Sequence, residues 1–185
     1  QTGSNGQARI TYPDGSGTLL GKNTQVTVKT AQGRNYTKKD GSPGTAVDYL
    51  KLDLQKGMLL GALATREQSN AEETAGWYKN RVAALDSFNY LAANPTSNLK
   101  WYQTAQSKKV KVEVDMPWGV AAIRGTFIMV TINPDGSCRV SCLTGNAEVT
   151  GNSGSPVAIG GGQSTGIGSE GGPASSPSGM SEEDK

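Results

Sequence analysis

The alternation of apolar and polar residues divides the chain into short β-segments, and its strongest stretch spans 116–149. Phe127, Met129 and Thr131 alternate with Ile128, Val130 and Ile132, so apolar groups fall on both faces of one strand. A short, β-branched run between turn signals predicts a central strand buried on two sides. Asn133-Pro134-Asp135-Gly136 then reverses the chain. Proline presets one turn position, and Asp-Gly supplies the residue that tolerates positive φ. The return strand carries Cys138, Val140 and Cys142 on one face and Arg139 and Ser141 on the other, the period-2 pattern of a half-buried strand.

The same reading extends outward. Residues 1–7 are polar with nothing to bury; 8–12, 18–20 and 26–28 read as strands, with turns at 13–16 and 21–23. The segment 31–45 is polar, glycine-rich and locally basic (Arg34, Lys38, Lys39), which predicts a loop. Leu50, Leu52 and Leu54 face away from Lys51 and Asp53, and Gly57 is expected to turn the chain into a further apolar strand at 58–65. Ser69-Asn70-Ala71-Glu72 fits a capping box, and Ala75, Tyr78, Val82, Leu85 and Leu91 follow at helical spacing. Val110, Val112 and Val114 oppose Lys109, Lys111 and Glu113 in a later strand. Strands at 147–150 and 156–159 come last, and from Gly160 the Gly/Ser/Pro-rich composition predicts a flexible tail.

The predicted fold is mainly β: a compact antiparallel sandwich or a short-stranded barrel or solenoid-like domain, with one inserted helix at about 70–93. The predicted organisation is an arm at 1–7, one β-domain at 8–165 with a helical insertion at 66–106, and a tail at 166–185.

Composition narrows the function more than it names one. Twenty-five glycines among 185 residues suit many turns, and the length suits one domain. The formal charge is +2 and no basic stripe interleaves with aromatics, so no nucleic-acid partner is expected. No apolar run has membrane length, so no membrane insertion is expected. Histidine is absent, which removes the commonest general base and transition-metal ligand. The acids are scattered, and 160–162 opens no helix that would cradle a phosphate. Neither catalysis nor a cofactor is expected. Asp14, Asp40 and Asp135 each precede a glycine; turn chemistry accounts for these pairs, whereas calcium would need several oxygens converging on one point. The aromatics Trp77, Phe88, Trp101 and Tyr102 either cap the β-core or form a binding patch. Cys138 and Cys142, four apart on one strand, are separated by roughly 13 Å, against the roughly 7 Å limit for a disulfide. Buried thiols, an intermolecular bridge, or pairing across a kink remain open. The chain does not begin with methionine, which is expected of a mature form after export.

Two segments together resemble the FecR-type domain, a bacterial extracytoplasmic β-domain. The first is Gly6-Gln7-Ala8-Arg9-Ile10-Thr11-Tyr12-Pro13-Asp14-Gly15-Ser16, with the strand at 19–28. The second is Val120-Ala121-Ala122-Ile123-Arg124-Gly125-Thr126-Phe127, followed by a strand and Cys142-Leu143-Thr144-Gly145. The resemblance covers about 8–65 and 108–165. It departs from the family in lacking the usual opening strands, in the insertion at 66–106, and in showing no membrane helix or cytoplasmic domain. It implies a β-fold and an extracytoplasmic address, and it gives Asp14, Gly15, Arg124, Gly125 and Thr126 structural roles at a turn and a strand entry. For Arg124, ligand binding is the alternative.

The expected function is therefore that of a non-enzymatic module that is secreted, on the cell surface or periplasmic. Its expected partners are other protein chains, copies of itself included. Self-assembly into filaments would proceed by strand addition, with Ala8, Ile10 and Tyr12 as donor or edge. The alternative is the periplasmic sensory part of a FecR-type transmembrane regulator of iron uptake.

Overall fold

A computed structural model describes residues 1–13, 16–37, 40–62 and 111–180. The predicted helix at 70–93, the insertion at 66–106 and the turn residues Asp14 and Gly15 lie outside the described residues.

The chain is built from antiparallel hairpins. β1 (Ala8–Thr11) pairs with β2 (Gly17–Leu20), and β3 (Gln25–Thr37) pairs with β4 (Pro43–Ala62). β5 (Lys111–Met116), β6 (Gly119–Ile132) and β7 (Cys138–Gly151) follow as successive antiparallel neighbours. β8 (Val157–Gly160) and β9 (Gln163–Ile167) each pair with a different half of β7, and β10 (Ser178–Gly179) pairs with β9.

Three pairings close the sheet. β4 runs parallel to β5 at Tyr49 to Asp53, β5 pairs with β6, and β6 returns to β4 at Gly57 to Ala62. The result is a small closed barrel with extra strands. One wall holds β3, the first half of β4, β5, the first half of β6, the second half of β7, and β8. The other holds β1, β2, the second half of β4, the second half of β6, the first half of β7, β9 and β10. The predicted antiparallel arrangement is thus corrected at one place: β5 lies parallel to β4, from which residues 63–110 separate it in place of the tight turn that would make the two an antiparallel hairpin.

The long strands change face where they pass from wall to wall. Around the β4 bend the core residues are Leu50, Leu52 and Leu54 before Gly57, and Leu59 after it. In β6 they are Ala121 and Ile123, then Ile128, Val130 and Ile132. In β7 they are Cys138, Val140 and Cys142, then Ala147 and Val149. Side chains alternate strictly along a strand, so each even–odd switch requires an irregularity. It falls at Gly57 (φ +85°) in β4, between Arg124 and Ile128 in β6, and around Gly145 (φ +88°) in β7. Gly57 therefore does not turn the chain back, as expected from sequence; it lets one strand bend and continue.

The apolar groups on the other side of β6 also find a place. Phe127 and Met129 join Leu19 and Leu60 in a second buried cluster, with Met58 and Leu143 against it. Cross-strand register puts Leu19 beside Leu60 and Leu60 beside Met129. The central strand is buried on two sides as its composition predicts. Ser141, predicted on the solvated face, is 1% exposed, because it lies opposite Met129 in the same row.

Three further expectations are corrected. Residues 31–37 and 43–45 of the expected loop are strand: β3 and β4 pair through Gln32–Tyr49, Arg34–Ala46 and Thr37–Pro43. Its glycines and polar groups hid the strand because the far part of β3 is largely solvated and needs no apolar face. Tyr36 lies across Gly44, its cross-strand partner, where a bare Cα leaves room for the ring. Residues 161–180 are not a free tail: Ile167 and Ala174 are buried, and Thr165 Oγ1 donates to the Ser175 carbonyl at 2.6 Å. The N-terminal arm is also held, since Thr2 Oγ1 accepts from Thr24 N at 2.8 Å and donates to the Gly21 carbonyl at 2.6 Å.

The β6–β7 turn forms as predicted. Gly136 N donates to the Asn133 carbonyl at 2.9 Å, and Asp135 Oδ1 accepts from Ser137 Oγ at 2.7 Å and Ser137 N at 2.9 Å. The Ser137 hydroxyl, and then its amide, hold the Asp135 carboxyl below its usual 3.8. A depressed carboxylate stabilises the fold above 3.8, and that contribution is lost as pH falls through the lowered value. In an NMR titration Asp135 should protonate below 3.8, and Ser137→Ala should move it back toward 3.8. An unmoved titration would remove the hydroxyl from the account.

Candidate binding site

The charged residues of the first wall neutralise one another. On its outer face Lys29 Nζ lies 3.0 Å from Asp53 and 3.3 Å from Asp115, and Lys51 Nζ lies 3.2 Å from Asp115 and 3.6 Å from Glu113. Tyr49 donates to Glu113 at 2.8 Å. Hydrogen bonding to Asp53, then to Asp115, raises the Lys29 ammonium above 10.5, and Asp115 does the same for Lys51. On β4 and β5 they sit at alternate, cross-paired positions, and Lys29 joins them from the register shift between Val28 and Thr30 on β3. Their charges are used inside the network. Such exposed pairs contribute little each, and the arrangement reads as a ladder supporting the parallel pair.

A concave feature lies at the end of the barrel where β4 bends. A cleft of about 770 Å³ is formed there by three chain reversals, the β4 bend and the N-terminal arm. Gly21, Lys22 and Asn23 come from the β2–β3 turn; Gln55, Lys56, Gly57 and Met58 from the β4 bend. Pro117 comes from the β5–β6 turn, Thr131 and Ile132 from the end of β6, and Asn133, Pro134 and Gly136 from the β6–β7 turn, with Gln7 on the arm. The side chains of Met58, Pro117, Ile132 and Pro134 make its walls largely apolar.

Local chemistry fixes this shape. Thr24, fully buried, ties the β2–β3 turn to the bend: its Oγ1 accepts from Met58 N at 3.0 Å and donates toward the carbonyls of Lys22 and Met58. Gly21 N donates to the Met58 carbonyl at 2.9 Å, and Met58 Cε comes so near Gly21 that a Cβ there would lie 2.8 Å from it. Asn23 adopts φ +51°, a value that asparagine tolerates because its side chain bonds locally. The cleft is thus pre-formed by hydrogen bonds within the chain.

The residues singled out from sequence lie elsewhere. Ala8 and Ile10 sit on β1, whose partner is β2, and Tyr12 is buried just beyond it with its hydroxyl 3.4 Å from Thr18 Oγ1. β1 forms an end of the sheet order, so these residues occupy an edge while already paired within their own chain. Arg124 pairs through its backbone with Lys111 and Asn146 at the β6 irregularity. The side chains of Arg124 and Thr126 lie outside the described residues. Cys138 and Cys142 are buried thiols on the inner face; burial pushes the Cys138 thiol above 9.0. Among the described residues no group of three or more His, Cys, Asp or Glu side chains gathers in a metal-binding arrangement, and no helix is long and apolar enough to cross a membrane. Sequence reasoning read 21–23 and 133–136 as turns but had no signal that they meet, because the contact depends on the unrecognised bend at Gly57.

No family model and no curated protein sequence matches the chain. Its fold is similar to two crystal structures described as a putative anti-sigma factor from Parabacteroides distasonis ATCC 8503. One, at 1.65 Å resolution, matches with a TM-score of 0.54 and 11% identity over 99% of this chain and 60% of that one. The other, at 2.50 Å, matches with a TM-score of 0.53 and 12% identity over 98% of this chain and 59% of that one. The chain spans about three fifths of the length of each. At this identity the likeness is one of fold, and the chain shares the β-architecture of those two proteins.

Proposed function

We propose that this chain is the partner-sensing domain of an anti-sigma-type regulator, a FecR-like module that works outside the cytoplasm by contact with another envelope protein. The observation that supports this reading is the fold likeness to two structures described as anti-sigma factors, running over nearly the whole of this chain. The FecR-like segments on β1–β2 and β6–β7 point the same way. The reading is non-enzymatic. The chain has no histidine, and the acids of the first wall are committed to ion pairs that offer no general base a substrate-facing position. Filament assembly by donation of Ala8, Ile10 and Tyr12 has less to support it, since β1 is already taken up by β2.

The test is genetic. In cells lacking the gene, restoring the complete reading frame should change a sigma-dependent reporter several-fold. The same frame without the segment 1–185 should no longer respond to the inducing condition. A response that survives removal of this segment would refute a sensory role.

A further inference from the structure

The cleft at the β4 bend carries one sign of charge. Lys22 and Lys56 stand exposed on its rim, and among the described residues no acidic side chain lines it. Neither lysine enters an ion pair with a described residue, in contrast to Lys29 and Lys51 on the neighbouring wall. Asp135, the acid nearest in sequence, turns its carboxylate to Ser137 instead. Below the lysines, Met58, Ile132 and Pro134 offer an apolar floor, held in shape by the bonds of Thr24. Apolar pockets with a few placed charges are the usual form of a peptide-anchoring site.

We infer that this cleft docks an acidic segment of a protein partner, with one large apolar side chain entering between Met58 and Pro134 and carboxylates meeting Lys22 and Lys56. This rests on the partner-sensing reading and gives that partner its chemistry. The apolar side chain supplies the anchor, and the two rim charges supply orientation and a faster encounter. Exposed charges of this kind act over about a Debye length, so binding must weaken with salt.

The experiment uses this chain and two short fluorescein-labelled peptides, one with a phenylalanine between glutamates, the other with the same phenylalanine between lysines. Polarisation should show the acidic peptide binding, with affinity falling roughly tenfold in K22E/K56E and at high salt. The lysine peptide should prefer the double variant. Amide shifts on titration should fall on Gly21, Lys22, Gly57 and Asn133. Equal binding of both peptides, no binding, or shifts confined to another surface would overturn the inference. The reporter separates the two levels: a regulator whose response is untouched by K22E/K56E keeps the sensory reading and loses the cleft. One that does not need the domain at all loses the reading itself.

Discussion

Gly57→Ala should lower stability by about 3 kcal/mol and unfold a large fraction of the protein at temperatures the parent survives. Two effects add. The residue sits at φ +85°, where an L side chain is strained. A Cβ at that position would lie 2.6 Å from Thr24 Cα and 2.9 Å from the Asn23 carbonyl, and closer still to Thr24 Oγ1. Those atoms are backbone or a fully buried, bonded hydroxyl, so nothing flexible can give way. Gly162→Ala separates the two effects: its φ is +81° but open space surrounds it, so it should cost only about 1 kcal/mol. Denaturant melts of both variants give the comparison. Equal losses would mean that the packing of the bend against Thr24 matters little.

Ending the chain after Gly160 should be as damaging. That change removes β9 and β10 and strips the neighbour from β7 between Cys138 and Cys142. It also removes Ile167, which is 2% exposed and belongs to the main core; losing a buried isoleucine costs about 3 kcal/mol on its own. The backbone groups of β7 would form an open edge beside a partly uncovered core, a template for aggregation. The expected result is a lower melting temperature and soluble aggregates by size-exclusion chromatography. A shortened chain that melts like its parent would return 161–180 to the status of a tail.

These two regions are also where sequence reasoning fell short. The turn at 133–136, the strands on either side of it and the inward set Val112, Val114, Val130 and Val140 were legible, because each is a local signal of alternation or turn chemistry. At Gly57 sequence alone is ambiguous, since a glycine between two apolar runs suits a turn as well as a bend; only the pairing of Lys56 with Gln25 and of Gly57 with Ile132 decides it. The face switch there also made Leu50 to Leu60 look like two strands. The segment after Gly160 failed for a different reason. Its composition is that of disordered chains, but Ser164 bonds to Ser178, Thr165 bonds to Ser175, and Ser175 Oγ accepts from Gly166 N, while one buried isoleucine anchors the segment. The cleft was not legible, because its walls come from turns as far apart in sequence as 21–23 and 133–136, and no local pattern marks their meeting. The fold class survived these errors, since it depends on the sum of many alternating segments and not on any one boundary.

Because β4, β6 and β7 each run through both walls, neither half of the barrel is free to swing on the other. A load applied at one end is carried along continuous backbone to the far end, much as a girder carries it. A receptor seated at the β4 bend would then act by tilting or displacing this body as one piece relative to whatever is attached to it, with no hinge opening inside it.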